Sequence, residues 1–148
     1  MGIARWKHKL VRFGRLEGRD KWLLLRAAAW LAVARIRLAS TPFSTLSERL
    51  SVEGDDPAGA PDESLLQRIG FAVRVAANHV PWRSDCFPQA IAARTLLKRL
   101  GYSSTIHLGV ERASEDNIAG HAWLTCSGTV VVGGENLDRY TEIHSLSA

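Results

Sequence analysis

The stretch Pro81-Trp82-Arg83-Ser84-Asp85-Cys86-Phe87-Pro88-Gln89-Ala90 closes a loop and opens a helix, with a cysteine on the seam. The first amides of a helix have no intrahelical partners and carry a partial positive charge. A thiol set there ionises more readily, and the thiolate is the reactive form. Pro88 suits the first turn, where its missing N–H costs nothing. Asp85 or Ser84 is placed to cap the helix. About 35 residues downstream, Ala119-Gly120-His121-Ala122-Trp123-Leu124 carries a histidine inside a strand-like run. A cysteine or a histidine alone more often serves packing. A thiol on a helix start together with an imidazole on a strand is what a cysteine hydrolase needs.

Outward from that seam, the cysteine helix continues to Leu100, and Gly101 stops it. Lys98 and Arg99 fall in its last turn, where cations suit the helix dipole. Upstream, a helix opens at Asp62 or Ser64 and runs to about Asn78, with Leu65, Ile69, Val73 and Ala76 on one face. Ser51 to Pro61 is a Gly-, Pro- and Asp-rich loop. Before it, Trp22 to Ala39 is rich in Leu, Ala and Arg and predicts a helix capped by Asp20. Its polar stripe is thin, so burial on most sides is expected. Ser40-Thr41-Pro42 ends it, and Phe43 to Leu50 forms a short helix. Met1 to Arg19 is basic, with scattered apolar residues.

Downstream of Gly101 the pattern changes to strands. Tyr102 to Val110 alternates, Glu111 to Ala119 reads as a polar loop, and Gly120 to Cys126 is a second strand. Ser127-Gly128 turns the chain into a third strand, Thr129 to Val132. Gly133-Gly134 breaks it, and Tyr140 to His144 forms a short last strand. Helices followed by an antiparallel sheet make an α+β layout. The chain is expected to be a single domain over residues 1–148, with a helical part at 1–50 and a cysteine-protease-like core at 62–148.

Composition narrows the function. The chain has 148 residues, 46% of them hydrophobic, which indicates a globular protein. The net charge is +4, with cations concentrated at Arg5, Lys7, Lys9, Arg12, Arg15, Arg19 and Lys21. That run suits a solvated tail or an acidic peptide partner, and no aromatic-interleaved nucleic-acid motif accompanies it. Cys86 and Cys126 are too few for a disulfide scaffold, and no Cys/His cluster suggests a metal, so neither metal nor cofactor is expected. No cleavable signal peptide is apparent, and a reducing cytoplasm is the expected setting. Trp22 to Ala34 is too short to span a bilayer. It could lie on a membrane surface, but a helix packed in the core is the expectation.

In the chemistry this implies, Cys86 attacks a carbonyl carbon and His121 is the acid–base partner. A third group must hold the imidazole. Glu135, just past the glycine break, is preferred, with Asp138 and then Asn136 as alternatives. Backbone N–H groups near Cys86 are candidates to stabilise an oxyanion. Trp123 shares the strand face of His121, and packing is its expected job. His107 reads as surface or satisfied core. Cys126 reads as a free thiol without a catalytic part.

Taken together, Trp82 with Cys86, the helix end Leu96-Leu97-Lys98-Arg99-Leu100-Gly101-Tyr102, the strand Leu108-Gly109-Val110 and Gly120-His121-Ala122-Trp123-Leu124 resemble the lasso-peptide leader peptidases. These are transglutaminase-like cysteine proteases. The N-terminal helix followed by Pro42-Phe43 also fits. The resemblance implies a transglutaminase- or papain-like core, with the catalytic helix packed on a small antiparallel sheet. It implies removal of a leader segment from a ribosomally made precursor peptide. It implies two partners besides that precursor: a PqqD-like leader-recognition protein and an asparagine-synthetase-like cyclase. The family's Cys and His fall on Cys86 and His121. Its usual third member, an Asp shortly after the His hairpin, is replaced here by Val132-Gly133-Gly134-Glu135. An acyltransferase of the same fold and a non-catalytic precursor-binding module are the alternatives.

Overall fold

A computed structural model describes residues 17–50, 59–114 and 117–147. The basic run before Glu17 and most of the Ser51–Pro61 loop lie outside the described residues. Four helices precede a four-stranded antiparallel sheet: α1 (Gly18–Ser40), α2 (Phe43–Leu50), α3 (Glu63–Ala77), α4 (Cys86–Arg99), β1 (Thr105–Ser114), β2 (Asn117–Cys126), β3 (Thr129–Val132) and β4 (Thr141–Ser147). A 3-10 turn at Leu137–Arg139 joins the last two strands. The fold is α+β, as the order of patterns in the sequence indicates.

The elements stack in layers. α1 packs on α3 and α4, and those two pack on the sheet. α1 directs Leu24, Ala27, Leu31 and Ala34 into the core. Its opposite face is exposed, so the expectation of burial on most sides fails there. Asp20 does not cap α1, which begins earlier, at Gly18. In the first turn its carboxylate suits the helix dipole, and it takes Arg68 of α3 at 2.8 Å. Arg99 of α4 lies 4.5 Å over the ring of Trp30, a second tie between helices. α3 buries Leu66, Ile69, Val73 and Ala76, so Leu66 takes the place that periodicity assigned to Leu65.

The sheet order is β3-β2-β1-β4. Ile106, Leu124, Cys126 and Leu146 face the helices and are buried with Leu96 and Leu97 of α4. Each of the large apolar side chains among them contributes roughly 1.5–3 kcal/mol by leaving water. β1 and β2 run further than their apolar pattern, to Ser114 and from Asn117. Of the polar stretch expected as a loop, residues 111–114 and 117–119 are instead paired strand, because the ladder of backbone hydrogen bonds continues beyond the apolar pattern. Ser127 and Gly128, both at positive φ, form the tight turn into β3. Among the described strands β4 is at the edge and pairs only with β1, across a bulge at Leu108/Gly109, and it leaves Ile143 exposed.

Among the described residues, one charge sits in this core. Arg94 of α4 is buried, and its guanidinium donates to the carbonyl of Leu146 at 2.9 Å and to the carbonyl of Leu50. It thus joins the C-terminus of α2 to β4 through α4. Burial lowers its pKa to about 10, so it remains a cation at neutral pH. Arg94→Lys should cost about 1–3 kcal/mol in chemical denaturation, because a single ammonium lacks the planar fork that serves two carbonyls.

Candidate active site

Cys86 is the first residue of α4, and Asp85 is at the N-cap position. Asp85 makes no capping hydrogen bond; its carboxylate is 3.4 Å from Arg83. The loop is held from the helix side. Gln89, one turn into α4, donates to the carbonyl of Ser84 at 2.8 Å. Pro88 is buried in the first turn, as its φ and missing donor allow. The Cys86 side chain is half-buried and makes no hydrogen bond among the described residues. Just before it, Trp82 Nε1 and Ser84 Oγ are buried with no protein partner. A buried donor left unpaired is costly.

His121 is on β2, opposite Gly109 of β1. Its Nε2 is 2.8 Å from the carbonyl oxygen of Gly133. A carbonyl only accepts, so Nε2 carries the hydrogen, and in the neutral ring Nδ1 holds the lone pair. The ring is stacked against Tyr140, with centroids 4.7 Å apart, and against Trp123 at 6.1 Å. Gly133 owes its place to its lack of a side chain. Its φ is +77°, and a Cβ there would fall 2.5 Å from the Ala122 oxygen and 2.9 Å from Trp123 Cα.

The expected carboxylates are elsewhere. Glu135 is exposed in the turn after β3, and Asp138 is exposed on the 3-10 turn. Neither makes a side-chain hydrogen bond among the described residues, nor does Asn136. Asn136 is in the left-handed region and precedes the turn. The group that orients His121 in this structure is a main-chain carbonyl two residues before Glu135.

A second histidine completes the arrangement. His107 Nδ1 is 3.0 Å from Glu142, and its Nε2 is 2.8 Å from Thr125 Oγ1. With a carboxylate at Nδ1, that nitrogen is the donor and Nε2 accepts from the hydroxyl. The His107 ring stacks on Trp123 at 5.3 Å, nearly parallel at 8°. His107, Trp123, His121 and Tyr140 therefore form one continuous pile. Trp123 lies over Gly109, where a Cβ would come within 2.8 Å of the indole. Neither His107 nor Tyr140 was assigned to the site from sequence. The available signal was register, since strands extended to a tight hairpin pair His107 with Trp123.

Cys86 and His121 are not joined by a hydrogen bond. β2 alternates, with Leu124 and Cys126 turned toward the helices. His121 and Trp123 are therefore on the other face of the sheet. α4 packs on the helix-facing side.

A family model described as the transglutaminase-like superfamily matches residues 28–145. The chain belongs to the transglutaminase-like superfamily. The matched span takes in α4 with Cys86, β1, β2, β3 and most of β4, so both candidate residues fall within the superfamily domain. No curated protein and no solved structure is significantly similar to the chain.

The two thiols differ in access. Cys126 is buried, its Sγ–H donates to the Ser103 carbonyl at 3.1 Å, and desolvation raises its pKa. Iodoacetamide should therefore modify Cys86 in the native protein and Cys126 only after unfolding, as read by peptide mass spectrometry. Gly133→Ala should destabilise the fold by about 1–3 kcal/mol, measured by denaturant titration, because both its φ and its surroundings exclude a Cβ.

Proposed function

We propose that this member of the transglutaminase-like superfamily is a cysteine endopeptidase that removes the leader segment of a ribosomally made lasso-peptide precursor. It acts with a PqqD-like leader-recognition protein, and an asparagine-synthetase-like cyclase uses the freed amine. The observation that carries the chemical part is the fixed tautomer of His121. With Nε2–H held by Gly133, Nδ1 is a ready base. The superfamily match and a cysteine on the first turn of α4 support the same chemistry. The choice of a lasso precursor and of the two partners rests on the sequence resemblance alone.

In this reading Nδ1 of His121 takes the proton of the Cys86 thiol. The thiolate attacks the scissile carbonyl, forming a tetrahedral oxyanion. The α4 amides, with Trp82 Nε1 and Ser84 Oγ as further donors, are the groups available to stabilise it. Collapse expels the leaving amine, which takes the proton from Nδ1. Water then attacks the thioester, giving its proton to Nδ1, and the acid departs as the thiol is restored. An amine in place of that water would give acyl transfer. Product masses separate the two outcomes, since hydrolysis yields two peptides and transfer yields an adduct.

His121 is on the face of the sheet turned away from α4, so more than the tightening of a long hydrogen bond separates it from Cys86. The cycle requires Cys86 to reach Nδ1 of His121 in the loaded complex. The missing bond between them favours a second reading, a precursor-binding module without catalysis. Cys86→Ala decides between them. With precursor and recognition protein present, cleavage followed by mass spectrometry should fall to background; persistence at the wild-type rate would sink the peptidase reading. His121→Gln should lose at least about a hundredfold. Glu135→Gln should stay within about threefold of wild type, since the imidazole is held by a carbonyl and not by that carboxylate.

A further inference from the structure

α1 is apolar on two faces, and only one of them is covered. At 3.6 residues per turn, Trp22, Leu25, Ala29 and Ile36 fall within about 60° of one another, opposite the buried Leu24, Ala27, Leu31 and Ala34. Trp22, Leu25 and Ile36 are 68%, 57% and 65% exposed. The stripe is about 21 Å long. Arg19, Arg26 and Arg37 line one border within about 20° of each other, and Arg35 is beyond the other border. All four are exposed, and none has an ion-pair partner among the described residues. Asp20 is turned away toward α3 and paired with Arg68. The sixteen residues preceding Glu17 add Arg5, Lys7, Lys9, Arg12 and Arg15 and contain no Asp or Glu.

We propose that this outer face of α1 seats on a bilayer surface that carries anionic headgroups. An apolar ridge flanked by cations, with a tryptophan at one end, matches a helix lying in the interface plane. The apolar side chains enter the headgroup–acyl boundary, while the arginines bury their stems and keep their guanidinium groups among the phosphates. The outer face of a helix is convex, so it presents to a plane without needing a groove. No described helix is long and apolar enough to cross a membrane, so the seating is peripheral. Because α1 is the outermost layer, the seated protein presents the face of the sheet bearing His121 and Trp123 away from the lipid. The proposal is independent of the peptidase reading.

Sedimentation with vesicles tests it. The full chain should pellet with phosphatidylcholine vesicles containing phosphatidylglycerol and stay in solution with phosphatidylcholine alone. Added salt should weaken the binding. Trp22→Glu combined with Ile36→Glu should lower binding at least about tenfold with an unchanged far-ultraviolet circular dichroism spectrum. Arg26→Glu with Arg37→Glu, which leaves the apolar stripe intact, should do the same. Failure of the wild type to pellet with anionic vesicles, or pelleting of either double variant as strongly as the wild type, would overturn the proposal. So would a lipid-free dimer by light scattering that the Trp22/Ile36 variant dissolves, which would place a second copy on the face. Binding of a soluble acidic amphipathic peptide without any vesicle binding would put a protein partner there and overturn it as well.

Discussion

α4 is covered on two sides at once, by α1 and by the sheet, and this is possible only because its middle is built of small side chains. Ala90, Ala92 and Ala93 are fully buried, with Ile91, Leu96 and Leu97 beside them. Alanines let the neighbouring layers approach closely, and the larger residues fill what remains at interior density. The layered order follows from that constraint. The same helix supplies Cys86 at its start, Arg94 in its middle and Arg99 at its end. Filling Ala92 or Ala93 with a larger side chain would separate layers that both sides of the candidate site depend on.

Much of this was legible in the sequence. The boundary at Cys86, the stop at Ser40-Thr41-Pro42 and the turn at Ser127-Gly128 follow from local chemistry, and the helices-then-strands order follows from periodicity. What failed has a physical pattern. Asp20 looks like a cap, but the helix begins before it, at Gly18, and its carboxylate pairs with Arg68, 48 residues later in sequence. The polar residues after Val110 look like a loop because apolar alternation reports on the core and not on the backbone ladder. α1 looks buried on most sides because composition cannot tell an apolar face that meets protein from one that meets solvent.

The site was legible only in part. Cys86 on the first turn of a helix and His121 on a strand beside Trp123 could be placed from residue type. The group holding His121 could not, because a backbone carbonyl has no signature in the sequence. Gly133 read as a strand breaker; its actual position depends on close packing against Ala122 and Trp123. The imidazole is thus fixed by a hydrogen bond and two stacked rings, independent of any carboxylate. The thiol has no comparable tether to it, and the chemistry hinges on that asymmetry.

The edge position of β4 has its own consequence. One row of its backbone amides and carbonyls has no neighbouring strand in the sheet, and such a row is a template for strands of other molecules. Ile143 makes that rim adhesive, while the bulge opposite Leu108/Gly109 twists it and Glu142 supplies charge. Glu142 is also the carboxylate that faces His107. The residue that steadies the ring pile is therefore one of those guarding the rim, so loss of its charge would weaken the colloidal behaviour of the protein along with the local order.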